Sequence, residues 1–386
     1  MDKIKNMSIN SKPLLILLVL IIAGLSKSIC AEELAAGSHL ASLETFKQKS
    51  FAPVRDEKFL IQVTLKQPKE TKDVQLEIYS SDNDLIQTLP LKDLKSNKKQ
   101  YDIWWDGKDS SGELVPNEAY FPVIKLTSST DKTQVIDARI NSGGEEVFDF
   151  EKNIGSGSIE YTLPIASRIL IRAGIKNGPM LRTIIDWEPR TAGFHAERWN
   201  GQDLDKVIAI EQNPQSSYLI IGYQLPNNSI ITYGNHKETY RKYRERKELP
   251  VQTFATSKKE IERGGKTIRP EFYNPVLKQK SPRINVSILG IKRRQVKTEI
   301  TGFEEIITEV KLHTLDEIYL DQERYEISFF VDNEFIAEEE QGYVPFTWRW
   351  SPGRQGIKPG KHVLTVNVSG YNGQVGVKNI PFTLQE

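Results

Sequence analysis

Residues 101–123, YDIWWDGKDSSGELVPNEAYFPV, combine a strand, a tight turn and a returning strand in one short stretch. Tyr101, Ile103 and Trp105 occupy alternate positions, which is the period of a strand with one buried face. The Asp106-Gly107 pair then interrupts the alternation, because both residue types tolerate the left-handed backbone region that tight turns use. The stretch therefore predicts a β-hairpin with a large aromatic residue at the end of its first strand.

Related features recur along the chain. A second turn, WNGQD, occupies residues 199–203, and a looser one occupies residues 348–359. Short runs of alternating apolar residues lie between these turns at roughly ten-residue spacing, which is typical of an Ig-like sandwich. The distance from an opening strand to its tryptophan is similar in the first two units, from Val63 to Trp105 and from Tyr161 to Trp199. This similarity indicates an internal duplication.

The pattern predicts an all-β protein of three tandem Ig-like β-sandwich domains with a basic linker that contains a short helix. A chain of 386 residues is long enough for several such cores. The leader is expected to be mobile. The predicted segments are a signal peptide at 1–31, a polar leader at 32–52, sandwiches at 53–142 and 143–235, the linker at 236–283, and a third sandwich at 284–386.

The N-terminus has the three-part layout of a secretory signal peptide. Lysines precede an apolar run at residues 14–25, and small residues follow at 26–31. The run is shorter than the roughly 20 residues of a spanning helix, so cleavage is favoured over a retained anchor. Lipidation of Cys30, the only cysteine, is the less favoured alternative because Ile29 precedes it. The sequence thus predicts export to the periplasm, the cell surface or the extracellular space, with no disulfide in the folded part.

The charge is nearly balanced except in one segment. Without residues 1–31 the net charge is about −2, which gives no overall field for nucleic acid. Residues 236–283 carry 14 Lys or Arg against 6 Asp or Glu. Their first part, HKETYRKYRERKEL, predicts a short exposed helix. A solvated connector is the simpler interpretation. The alternative is contact with an anionic membrane surface or acidic protein, with Tyr240 and Tyr243 adding apolar contact.

The segment WWDGKDSSGELVPNEAYFPV resembles the Ig-like domain named after the flagellar hook-capping protein FlgD. That domain has the pattern W-D-G-x-D-x-x-G-x-x-V-P-x-G-x-Y, and Glu118 stands where it usually has glycine. The second unit resembles the upstream half of the domain, with Asn200 in place of the aspartate. The third, PFTWRWSPGRQGIKPGKHVLTVNV, is similar to another bacterial Ig-like variant. The resemblance implies an exported bacterial protein and says little about function, because such modules are appended to many proteins.

The sequence offers no catalytic, cofactor-binding or metal-binding set of residues. His195 and His362 lie close to the motif tryptophans, where we expect ring-stacked, hydrogen-bonded histidines. Asp106, Asp109 and Glu113 share one loop and suggest calcium, but Lys108 occupies a ligand position of an EF-hand loop. Turn geometry is the favoured explanation. We therefore predict no catalytic residue, no cofactor and no metal.

The tryptophans separate into core and surface positions. Trp105 and either Trp348 or Trp350 are core candidates, whereas Trp104 must point to the opposite face, toward solvent, a sugar or a neighbouring domain. The predicted function is that of a non-enzymatic scaffold or spacer that binds another envelope or extracellular protein. The alternative is a carbohydrate-binding module, which requires exposed aromatics aligned on one sheet face. An enzyme would require a cleft with convergent titratable groups.

Overall fold

The chain forms three β-sandwiches, and each encloses its own apolar core between two sheets. The computed structural model describes residues 40–44, 46, 49–140, 142–147, 152–155, 157–250, 261–263, 266–268, 279–291, 295–321 and 324–386. The predicted signal peptide, with Cys30, lies outside these ranges. The sheets confirm the predicted all-β fold of Ig-like sandwiches.

Strands and helices are numbered in chain order. The first eight strands are β1 (Ala41–Leu43), β2 (Ser50–Phe51), β3 (Phe59–Leu65), β4 (Thr71–Ser80), β5 (Leu85–Pro90), β6 (Gln100–Trp105), β7 (Ala119–Ser128) and β8 (Thr133–Asp137). The next seven are β9 (Glu146–Val147), β10 (Lys152–Gly155), β11 (Ser158–Leu163), β12 (Ser167–Ile175), β13 (Met180–Arg190), β14 (Gly193–Arg198) and β15 (Ser216–Gln224). They are followed by β16 (Ile230–Thr232), helix α1 (Tyr240–Arg246), β17 (Ile261–Arg263) and β18 (Lys266–Ile268). The remaining elements are β19 (Ile284–Gly290), β20 (Glu299–Thr301), β21 (Ile306–Leu312), helix α2 (Thr314–Asp321), β22 (Tyr325–Val331), β23 (Glu334–Glu339), β24 (Phe346–Trp350), β25 (Gly360–Gly370) and β26 (Val375–Gln385).

In the first sandwich, strands β8 and β16 pair with the same strand, β7, at different positions along it. Its small sheet has the order β1-β3-β6, and its large sheet has the order β2-β16-β7-β4-β5, with β8 also on β7. Strand β7 pairs with β8 from Val123 to Thr127 and with β16 at Ala119 and Tyr120. Pro122 lies between these two ladders, and proline has no N–H to donate. The second sandwich, β9 to β15, is therefore inserted in the chain between β8 and β16, two strands of the first sandwich.

This topology corrects the predicted division into 53–142 and 143–235. Strand β16 falls within the segment assigned to the second sandwich but pairs with β2 and β7 of the first. Strands β1 and β2 fall within the predicted mobile leader, 32–52, and also belong to the first sandwich. The prediction failed because each of these strands is only two or three residues long, and so short a run does not reveal its pairing partner.

Helix α1 is part of the first sandwich and is not an exposed helix. Tyr240 and Tyr243 are buried in the same core as Trp105, and Arg244 is buried beside them. The three positions are spaced i, i+3 and i+4 and so lie on one helical face. The predicted linker, 236–283, is therefore wrong for its first part, and the two tyrosines are not available to a membrane surface. Most of residues 251–278 lie outside the described residues.

The third sandwich is formed by β19 to β26 and encloses its own core. Sheet β19-β21-β24 faces sheet β20-β26-β25-β22-β23. Trp350 is buried and donates its indole N–H to Thr308 Oγ1 at 2.9 Å. Trp348 is half-buried and stacks on Trp350 with ring centroids 4.6 Å apart. Both tryptophans face the core, because residues two apart in a strand point to the same side.

Candidate functional site

The loop after Trp105 is held by its own hydrogen bonds. The Trp105 indole N–H donates to the carbonyl of Lys108 at 3.0 Å. Gly107 adopts φ +71°, and a Cβ there would lie 2.3 Å from Pro53 Cγ, so only glycine fits. Asp109 Oδ1 accepts hydrogen bonds from the backbone N–H groups of Ser111 and Glu113, each at 2.9 Å. These contacts give Asp109 the turn role that the sequence favoured over calcium.

The second carboxylate oxygen of Asp109 bonds to residues of helix α1 and of the turn that follows it. Asp109 Oδ2 accepts from the Tyr243 hydroxyl at 2.7 Å and forms an ion pair with Lys247 Nζ at 2.9 Å. Burial alone would raise the pKa of Asp109, but hydrogen bonds from Ser111, Lys247 and Tyr243 outweigh it and lower this pKa. The loop is thus a docking point for a later segment of the same chain.

The corresponding loop of the second sandwich is used in the same way. Gly201 has φ +69°, and Asp203 Oδ1 accepts from the N–H groups of Val207 and Ile208 at 2.7 and 2.6 Å. Asp203 Oδ2 also accepts from the side-chain amide of Asn379, on β26 of the third sandwich, at 3.0 Å. The duplication inferred from the sequence is therefore visible in the loop geometry, and each copy contacts a different later element.

Arg244 links the first and third sandwiches through α1. Its guanidinium donates to both carboxylate oxygens of Asp84, at 2.6 and 2.9 Å, and to the hydroxyl of Tyr319 on α2 at 3.0 Å. The side chains of Arg244 and Asp84 are 5% and 4% exposed. Burial lowers the pKa of Arg244, but the bonds to Asp84 more than compensate and raise it. The ion pair is thus buried, and removing one partner leaves the other without its compensating group.

Glu118, the residue that departs from the FlgD pattern, connects the first two sandwiches. Its carboxylate forms an ion pair with Arg168 of β12 at 2.7 Å, and the two side chains are 3% and 8% exposed. Arg168 also donates to the carbonyl of Trp187 at 2.7 Å. A small apolar cluster seals the same interface: Ala119, Phe121, Ala166, Leu225 and Ile231.

The second and third sandwiches meet through backbone and side-chain hydrogen bonds. The side chain of Asn367 on β25 bonds both the N–H and the carbonyl of Met180, each at 2.9 Å. Asp205 accepts from the N–H of Asn379 at 2.8 Å and pairs with Lys378. Every pair of sandwiches is thus joined by polar contacts among the described residues.

The two singled-out histidines occupy structural positions. His195 stacks on Tyr161 with centroids 5.4 Å apart and bonds the carbonyl of Thr191 at 2.8 Å. His362 packs on Phe382 and bonds Asp332 at 2.6 Å. Both observations agree with the stacked, hydrogen-bonded role expected from the sequence.

Exposed aromatic side chains are scattered over the three sandwiches. Trp104 is 55% exposed on the outer face of the β1-β3-β6 sheet, as its position next to Trp105 predicted. Its neighbours on this face include Gln62 and Asp102, which bond each other at 3.0 Å. Phe194 lies on the second sandwich and Phe303 on the third, 66% and 75% exposed. These three side chains lie on different sandwiches and so do not form one aligned aromatic face.

A cleft of about 800 Å³ separates the first sandwich from the second, and we call it the inter-sandwich groove. Its walls are the segment from β16 to α1, the β13–β14 turn and the loop before β7, with Lys280 at one side. Within the described ranges, no group of three or more His, Cys, Asp or Glu side chains is placed to hold a metal ion. No helix in those ranges is long and apolar enough to span a membrane.

Comparisons with known proteins give weak structural similarities only. No family model matches the chain, and no curated protein matches it. Fibronectin(III)-like modules of CbhA from Clostridium thermocellum match at 9% identity and a TM-score of 0.20, over 90% of this chain and 94% of theirs. An adhesin with which an Antarctic bacterium binds ice matches at 9% identity and 0.19, over 91% and 75%. The FN1–FN3 domains of chicken CNTN1 match at 9% and 0.17, over 88% and 97%. The strand order alone carries the fold assignment, and the FlgD-type resemblance stays a prediction from the motif.

Proposed function

We propose that this protein is an exported, non-enzymatic scaffold that presents loops and sheet edges in a fixed arrangement to a protein partner in the cell envelope or extracellular space. The observation that carries the proposal is the interlocking of the sandwiches. The second is inserted into the first, and Asp109 and Asp203, at equivalent positions in two loops, hold α1 and β26. A spacer of independent domains needs none of these contacts.

Four buried carboxylates support a structural role. Asp84, Asp109, Glu118 and Asp316 are each buried, and each is engaged in an ion pair that joins different parts of the chain. A catalytic carboxylate instead needs access to a substrate. Export is supported by the signal-peptide layout of residues 1–31 in the sequence.

Site-specific cross-linking tests the scaffold proposal. A photo-reactive amino acid replaces Trp104, Phe194 or Phe303 in turn, one exposed position on each sandwich, in protein made by its own host cell. Irradiation followed by mass spectrometry should yield one reproducible, near-stoichiometric protein adduct from one of these surfaces. Unirradiated cells serve as the control. Absence of a protein adduct from all three positions, with the protein correctly folded and exported, would contradict the proposal.

Carbohydrate binding at Trp104 is the second candidate function. A half-exposed indole beside the amide of Gln62 and the carboxylate of Asp102 offers an apolar ring with polar neighbours. Trp104→Ala should abolish binding to a glycan array if this site is used and leave it unchanged if it is not.

A further inference from the structure

The inter-sandwich groove carries positive charge that the described part of the chain does not neutralise. Lys237, Lys242 and Lys280 line it, and none of their ammonium groups has a carboxylate within ion-pair distance among the described residues. The groove also contains three carboxylates, but each already has an arginine partner: Glu118 with Arg168, Glu188 with Arg190, and Glu238 with Arg246.

Two uncharged side chains of the groove, Thr239 and Asn117, offer hydrogen-bond donors. Thr239 Oγ1 accepts from the N–H of Lys242, so its hydroxyl proton is available to a ligand. Asn117 Oδ1 accepts from the N–H of Asn235, which leaves its amide N–H₂ as donor. The carbonyl of Thr191, an acceptor, is already occupied by His195. The groove therefore suits a ligand that is rich in acceptors.

An aromatic ring borders the same groove. Tyr233 lines it and is 41% exposed. The C–H face of a sugar ring packs against such a ring, while its hydroxyl oxygens reach neighbouring donors. A concave groove also fits an extended chain better than a membrane, because a planar lipid surface contacts protruding residues and cannot enter a cleft.

We propose that the inter-sandwich groove binds an anionic polysaccharide, with the acidic groups of the sugar chain against Lys237, Lys242 and Lys280. The site does not depend on the scaffold role or on Trp104. Loss of glycan binding would leave the cross-linking result unchanged, so the two proposals fail separately.

Calorimetric titration of the purified protein with polygalacturonate tests this proposal, with neutral dextran and polyglutamate as comparison polymers. Polygalacturonate should bind, more weakly at higher salt, and dextran should not. The triple variant Lys237→Gln, Lys242→Gln, Lys280→Gln should lose at least about tenfold in affinity, because three charge-assisted contacts are removed. An unchanged melting temperature shows that this variant is folded.

A matched control separates the groove from overall charge. The variant with Lys92, Lys358 and Lys361 all changed to Gln has the same change in net charge, at exposed positions outside the groove. It should bind polygalacturonate within about twofold of the parent protein. Three results would overturn the proposal: equal loss in the control, polyglutamate binding as tight as polygalacturonate, or no binding of polygalacturonate at all.

Discussion

Arg244→Ala is expected to destabilise the protein more than any exposed charge change on the same helix. The substitution removes two hydrogen bonds to Asp84, one to the Tyr319 hydroxyl and one to the Pro250 carbonyl. Among the described residues, it leaves the buried Asp84 carboxylate with the hydroxyl groups of Tyr240 and Ser80 as its side-chain donors.

Removing one partner of a buried ion pair typically costs about 3–5 kcal/mol. The lower end applies here, since Asp84 keeps two hydroxyl donors. With a urea slope of roughly 3 kcal/mol per molar, a loss of about 3 kcal/mol shifts the unfolding midpoint by roughly 1 M. Tryptophan fluorescence reports this transition, because Trp105 lies in the core that α1 covers.

Arg246→Ala is the matched control. Arg246 lies on the same helix and forms ion pairs with Glu238 and Glu113, but its side chain is 47% exposed. Its loss should leave the midpoint unchanged within error. Adding Asp84→Asn to Arg244→Ala removes the stranded charge and should recover part of the lost stability. Equal midpoints for Arg244→Ala and Arg246→Ala would refute the assignment of Arg244 as the link between sandwiches.

Three further predictions concern single side chains. In urea unfolding, Trp105→Ala should lower the free energy of unfolding by about 3–5 kcal/mol, and Trp104→Ala should not change it measurably. An equal loss for both variants would mean that the strand register of the hairpin is wrong by one residue. Tyr325→Phe should stabilise the third sandwich by about 1 kcal/mol, because the buried Tyr325 hydroxyl has no hydrogen-bond partner among the described residues. A lower melting temperature would show that the hydroxyl is satisfied. Because the folded-state pKa of Asp109 is lowered, its contribution is complete above about pH 4 and lost as the pH falls further. Asp109→Asn should therefore flatten the decline of stability below pH 4, and an unchanged slope would contradict this.

The alternating residues predicted the sandwiches well where strands were long. The alternation predicts that Tyr101, Ile103 and Trp105 lie on one buried face of the strand. In the structure, Tyr101 and Trp105 are buried. The third sandwich was found for the same reason, since β25 and β26 each span 11 residues. In a long strand, the alternation of apolar and polar residues shows which face is buried.

The contacts between sandwiches and the pairing of the short strands could not be predicted in this way, because they join residues that are far apart in the sequence. Strand β16 has three residues and pairs with Tyr120, more than a hundred positions earlier. Helix α1 looked solvated because its charged residues outnumber the apolar ones. The signal that was present is the spacing of Tyr240, Tyr243 and Arg244 on one face. Glu118 was a second signal, since it departs from the glycine of the FlgD pattern and forms the ion pair between sandwiches.

The insertion of the second sandwich sets the order in which the chain becomes complete. During synthesis the N-terminal strands emerge first, yet the side of β7 that pairs with β16 at Ala119 and Tyr120 stays open until β16 has emerged. An open strand edge presents unpaired N–H and C=O groups to other chains. The first sandwich thus starts to fold before the inserted second sandwich and closes after it, and the folding time of the inserted sandwich sets how long that edge stays open to a second copy of the chain.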